Sequence, residues 1–176
     1  HGAITVTVSH FAGYGGAGIT DGAANIAQFI KLSAVAIDKD DNAYVLDKGG
    51  IRRISPTGIV NTIYKFGDFR NEENCSINLD QKQVFWIVDC SGTKVIRVSL
   101  GGDFINQILL NTGSNGWIWN DHGAGFLPDG RLLVPVWAVG KIIAVAENGI
   151  VTDYYKNKIP GLCNSNPRTA NLICPS

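Results

Sequence analysis

The chain has 176 residues, 45% of them apolar and 17% charged, a balance that excludes a disordered polymer and supplies one domain with a core. Fifteen basic and fifteen acidic residues cancel and are spread without runs, so the basic patch that nucleic acid requires is missing. No apolar stretch approaches bilayer length, which predicts no membrane insertion, and 21 glycines point to strands joined by tight turns.

Residues 4–11 (ITVTVSHF) alternate as a strand does and are predicted to form an outer strand displaced to the N-terminus, free to pair with another subunit. The chain starts at His1 and holds no methionine, so it reads either as a processed product or as a fragment, with removal of a secretory signal peptide the simplest account. A glycine-rich loop follows over residues 12–31, with one helical turn expected at 23–29.

Three copies of a four-strand unit come next. The first has strands at 32–38, 43–47, 51–54 and 59–64, and the second at 75–79, 84–89, 94–98 and 104–109. The third has them at 123–127, 131–136, 141–145 and 150–155. Asp38 to Asp80 and Asp47 to Asp89 are both steps of 42 residues, and a glycine precedes the fourth strand at Gly58, Gly102 and Gly149. A four-strand period of roughly 40–50 residues is that of a β-propeller blade. The expected fold is all-β: three four-stranded propeller-type blades at about 32–64, 75–109 and 123–155, in one domain over 1–157. Residues 158–176, with three prolines and two cysteines nearby or within, are expected to form an extended tail.

The first copy resembles the NHL-repeat family of β-propellers. The resemblance rests on Phe11, Ala12 and Gly13, Gly15 to Gly18, Asp21 and Gly22, and Ala27, Gln28 and Phe29. It continues through AVAID at 34–38, AYVLD at 43–47 and IRRISPTG at 51–58. It is good over 11–64, fair over 75–109 and weak beyond, and the family's usual Asn-x-Arg-Ile after the second strand is shortened to Gly49-Gly-Ile-Arg52. Family members usually form six-bladed rings, so the resemblance implies that this chain supplies half of one.

The cysteines are consistent with an oxidising compartment. Cys75 and Cys90 flank the hairpin of the second copy, and its antiparallel register brings them close enough to pair, leaving Cys163 and Cys174 to staple the tail. Four cysteines permit three pairings, so the choice rests on the hairpin. Asn74-Cys75-Ser76 is an acceptor for N-linked glycan, although a plain turn asparagine reads equally well.

Chemistry has few places to sit. His1, His10 and His122 hold the residue types of a histidine-brace copper site, but an exposed terminus with two ordinary histidines is the simpler reading. Asn120, Asp121 and His122 precede an inner strand, where six-bladed lactonases and related hydrolases hold channel calcium. The first two copies offer no matching carboxylates there, so no metal or other cofactor is expected, calcium being the one ion in question. Trp117, Trp119 and Trp137 offer rings for a glycan or a partner surface, against core packing as the commoner use. Asp38, Asp47, Asp80 and Asp89 recur once per blade, so they are expected to bind turn N–H groups. No nucleophile elbow, zinc-protease, phosphate-loop or Cys-x-x-Cys motif is present.

Three blades leave two open faces, which predicts either a homo-oligomer or another extracellular protein as partner, or a longer polypeptide of which this chain is a part. The expected function is that of a secreted, disulfide-bonded and glycosylated interaction or structural protein rather than an enzyme. The alternatives are a propeller hydrolase or lyase with a channel metal, and a carbohydrate-binding module.

Overall fold

The structure is a computed structural model that describes residues 5–67, 74–89, 93–110, 123–136 and 141–154, with only the backbone of residues 74 and 75. Among the described residues it is all-β, with no helix and three antiparallel sheets. The first sheet holds β2 (Leu32–Ile37), β3 (Ala43–Asp47), β4 (Gly50–Ile54) and β5 (Ile59–Lys65), with β1 (Gly22–Ala23) added outside β5. The second holds β6 (Asn74–Leu79), β7 (Val84–Asp89), β8 (Lys94–Ser99) and β9 (Phe104–Leu109). The third holds β10 (Gly125–Phe126), β11 (Leu132–Val136), β12 (Lys141–Val145) and β13 (Val151–Asp153). Each is a meander of neighbouring strands, as the short intervening turns require.

One turn geometry closes the first and the third hairpin of every blade. Between the first and second strands, the N–H of Asp38, Asp80 and Leu127 donates to the carbonyl four residues on, and that of Asp41, Gln83 and Gly130 donates back three. The residue giving the return bond has positive φ in all three copies: 59° at Asp41, 62° at Gln83 and 86° at Gly130. Between the third and fourth strands the same pair of bonds starts at Ser55, Ser99 and Ala146, and Gly58, Gly102 and Gly149 take the left-handed position. These bonds set the blades in register, so Val35, Ile77 and Ala124 are equivalent, as are Ile37, Leu79 and Phe126.

The blades stack face to face. Tyr44, Leu46 and Ile51 of the first pack against Ile77, Phe85 and Ile87 of the second, with Phe66 from the connecting segment between them. Trp86, Val88 and Val95 of the second pack against Leu132, Val134 and Val145 of the third, with Leu110 as the corresponding plug. The period-2 alternation of each strand produces this arrangement, because successive side chains serve opposite faces.

Two expectations are corrected. Residues 5–11 join no sheet: the outer edge of β5 is occupied by Gly22 and Ala23, paired with Val60 and Ile59. The expected inner strand over 123–127 shrinks to Gly125–Phe126, since two flexible glycines, Gly123 with φ of 79° and Gly125, interrupt it. The turn expected at 23–29 is a single one, with Ala27 N–H donating to Ala23 O at 2.9 Å. The expected tail over 158–176 lies outside the described residues.

Candidate functional site

The most informative surface is the back of the first blade, the side away from the second. Val35 and Ile37 lie opposite Val45 and Ala43 in the β2–β3 register, so all four share that face. In the second blade the equivalent residues, Ile77 and Leu79, are packed against the blade before it. In the third blade Ala124 and Phe126 are packed in the same way. In the first blade no described sheet lies against these positions, and Val35 is 60% and Ile37 65% exposed.

Only the outer part of that face is covered, by the loop over 12–31. Ala12, Ala27 and Phe29 pack on Val45, Ile54 and Val60. Arg52 pins the loop down. It is fully buried where the second and third blades carry Ile96 and Ile143, and its Nη1 donates to Gln28 O and Asp47 Oδ2. Its Nη2 donates to Thr20 O at 2.9 Å and Asp21 Oδ1 at 2.7 Å, and its guanidinium lies 5.0 Å from the centre of the Phe29 ring. A buried cation on a sheet face is tolerable only with such partners. Burial pushes the Asp21 carboxyl up, but bonds from Thr62 and the Arg52 charge outweigh it and hold it below its ordinary value.

The front of the third blade is the complementary opening. Ile142 occupies the position of Ile51 and Val95, both fully buried under the next blade, yet it is 47% exposed. It shares its face with Pro135, its register partner, and with Leu133 and Ala144.

The recurring aspartates bind turns, as their periodicity predicted. Asp38 Oδ1 accepts from Asp40 and Asn42 N–H, and its Oδ2 accepts from the Asn42 amide and from Tyr44 Oη at 2.9 Å. Asp80 repeats this with Lys82 and Val84 N–H and with Trp86 Nε1, also at 2.9 Å. Burial raises the Asp38 pKa, but the bonds from Asn42, Tyr44 and Asp40 win and lower it. Burial and the Asp38 carboxylate push the Tyr44 hydroxyl up to about 12. Asp47 accepts from Ile30, Lys31 and Lys48 N–H, and Asp89 from Thr93 and Lys94 N–H.

A hollow of about 360 Å³ opens between the second and third blades, with Trp86, Phe126 and Glu147 among its walls. Glu147 ties the blades together, accepting from Lys82 Nζ at 2.7 Å and from buried Arg97 at 2.8 Å. These two bonds, Lys82 first, depress its carboxyl.

Trp117, Trp119, Asn120, Asp121, His122 and Trp137 lie outside the described residues, as do Cys90, Cys163, Cys174 and His1. Asn74 and Cys75 are placed by backbone only: Asn74 pairs with Asp89, and the register shifts at Cys75. His10 is exposed. Among the described residues no group of three or more His, Cys, Asp or Glu side chains could hold a metal. Sequence reasoning missed Val35, Ile37, Ile142 and Arg52; aligning the copies residue by residue exposes Arg52 as a charge at an isoleucine position.

Protein-family models and curated proteins give no match to the chain. Among solved structures it is similar to virginiamycin B lyase from Staphylococcus aureus, with 19% identity and a TM-score of 0.59 over 75% of this chain and 42% of that one. A streptogramin B lyase structure shares 14% identity and a TM-score of 0.61, over 77% of this chain and 44% of the other. The extracellular domain of the one component system BT4673 from B. thetaiotaomicron shares 16% and 0.53, over 70% and 18%. At such identities the likeness is one of fold: the chain is a partial β-propeller of three blades. It spans less than half the length of these structures.

Proposed function

We propose that the chain is an extracellular, NHL-repeat-type interaction scaffold whose activity is association, made through the back of the first blade and the front of the third. The observation that carries this reading is the contrast at equivalent positions: Val35 and Ile37 exposed, Ile77 and Leu79 packed. Roughly 25 cal/mol is gained per Å² of apolar surface covered, so a partner sheet has a driving force there that a polar face lacks. The likeness to extracellular domains such as that of BT4673 supports an extracellular setting, and with it we propose Cys75–Cys90 and Cys163–Cys174 bridges and a glycan at Asn74. The lyase names among the similar structures direct attention to residues 120–122, while the described carboxylates Asp38, Asp47, Asp80 and Asp89 bind backbone at turns.

Sedimentation velocity over a range of concentrations tests the reading. The wild-type chain associates, whereas Val35→Asp/Ile37→Asp keeps its circular dichroism spectrum and sediments as a monomer. Association unchanged by the double substitution refutes it.

A further inference from the structure

We propose that the occupant of both open faces is a second copy of this chain, joined front to back so that two sets of three blades close one six-bladed ring. This rests on the association reading above and specifies its partner.

The two seams inside the chain show how such a joint is built. At the first, Tyr44 of the front face lies 4.8 Å from Phe85 of the following blade, ring centre to ring centre. At the second, Trp86, which occupies the position of Tyr44, lies 5.6 Å edge-on from Phe126. The third member of that series is Leu133, and the residues equivalent to Phe126 and Phe85 in the first blade are Ile37 and Ala43. Applied a third time, the same rule sets Leu133 of one copy against Ile37 and Ala43 of the other. Ile142 then comes to rest as Ile51 and Val95 do, under a neighbouring sheet.

The charges agree. The second seam carries an ion pair across it, Arg97 to Glu147 at 2.8 Å. At the proposed third seam both positions are uncharged: Ala144 stands where Arg97 does, and Pro56 where Glu147 does. At these two positions closure therefore buries no unpaired charge, a cost that otherwise opposes association.

The plug is also in place. Phe66 fills the first internal seam and Leu110 the second, each from the segment leading into the following blade. At the back of the first blade the chain's own loop already supplies Ala27 and Phe29, held by Arg52. An arriving copy therefore has to bring only its sheet. Each copy would make the same contact twice, once with each face, which is how a two-fold arrangement saturates a front-to-back interface instead of growing into a filament.

The test combines mass with position. The wild-type particle is expected at twice the 18.9 kDa chain mass by light scattering. Ile37→Cys and Leu133→Cys variants, mixed and oxidised, should give a covalent dimer that neither variant gives alone, while Ile26→Cys, exposed on the covering loop, gives none with Leu133→Cys. A dimer carrying the 37–133 bond supports the ring. Association without that bond, or a particle larger than a dimer, overturns the ring and leaves association standing. A monomer at every concentration overturns both.

Discussion

Val35 and Ile77 hold the same place in successive blades, 42 residues apart, yet Val35 is 60% exposed and Ile77 only 5%. Blade chemistry at the two sites is the same; what differs is whether a blade stands behind. Ile77→Ala should therefore cost about 2–4 kcal/mol in urea unfolding, as buried isoleucines do, while Val35→Ala in the monomer should cost less than about 0.5 kcal/mol. Equal costs would mean that Val35 is covered within the chain.

Asp38 gathers two backbone N–H groups, the Asn42 amide and the Tyr44 hydroxyl. Asp38→Ala strands several of these donors in a buried setting and should cost about 2–4 kcal/mol, with Asp38→Asn recovering part of it. A chemical-denaturation series on the two variants decides this.

Because the Asp38 carboxyl is held below its ordinary value, its contribution is complete above the unfolded-chain pKa of about 4 and disappears as the pH falls through the lower folded value. Tyr44 acts at the other end. Its hydroxyl is raised to about 12, so the protonated phenol favours the fold fully below pH ~10, and that stability is lost as the pH climbs from there to about 12. Melting temperature against pH should fall on both limbs, and Tyr44→Phe should flatten the alkaline one. An unchanged alkaline limb in that variant would contradict the assignment.

Gly102 and Gly130 separate backbone strain from collision. Both have positive φ, 96° and 86°, but a Cβ at Gly102 would run into the carbonyl of Ile63 in the neighbouring blade, whereas at Gly130 it meets nothing. Gly130→Ala should cost about 1 kcal/mol and Gly102→Ala clearly more. Denaturant midpoints for the pair would show it, and a cheap Gly102→Ala would mean that the two blades stand further apart.

Gln83 sits at the same turn position with φ of 62° and carries a side chain there. Gln83→Gly should raise stability by up to ~1 kcal/mol, read as a higher melting temperature. A fall would show that the glutamine side chain earns its place.

The blades were legible because every strand carries period-2 alternation and every hairpin ends in a recognisable turn. Asp38, Asp80 and the three glycines at 58, 102 and 149 fixed the phase, and the structural role of the aspartates followed from their recurrence. Residues 4–11 misled because alternation reports a strand's face and says nothing about whether an edge is free to receive it. Val35, Ile37 and Ile142 were hidden for another reason: they look like ordinary core valines and isoleucines, and only their exposure in the structure separates them from their packed counterparts in the other blades.

The turn shared by the first and third hairpins of each blade has a consequence for how such chains change over generations. The backbone path is the same whether Asp41, Gln83 or Gly130 stands at its left-handed corner. Because these corners lie inside each blade and hold its strands in register, the side chains on the blade faces can vary over generations while the pairing of the strands is kept.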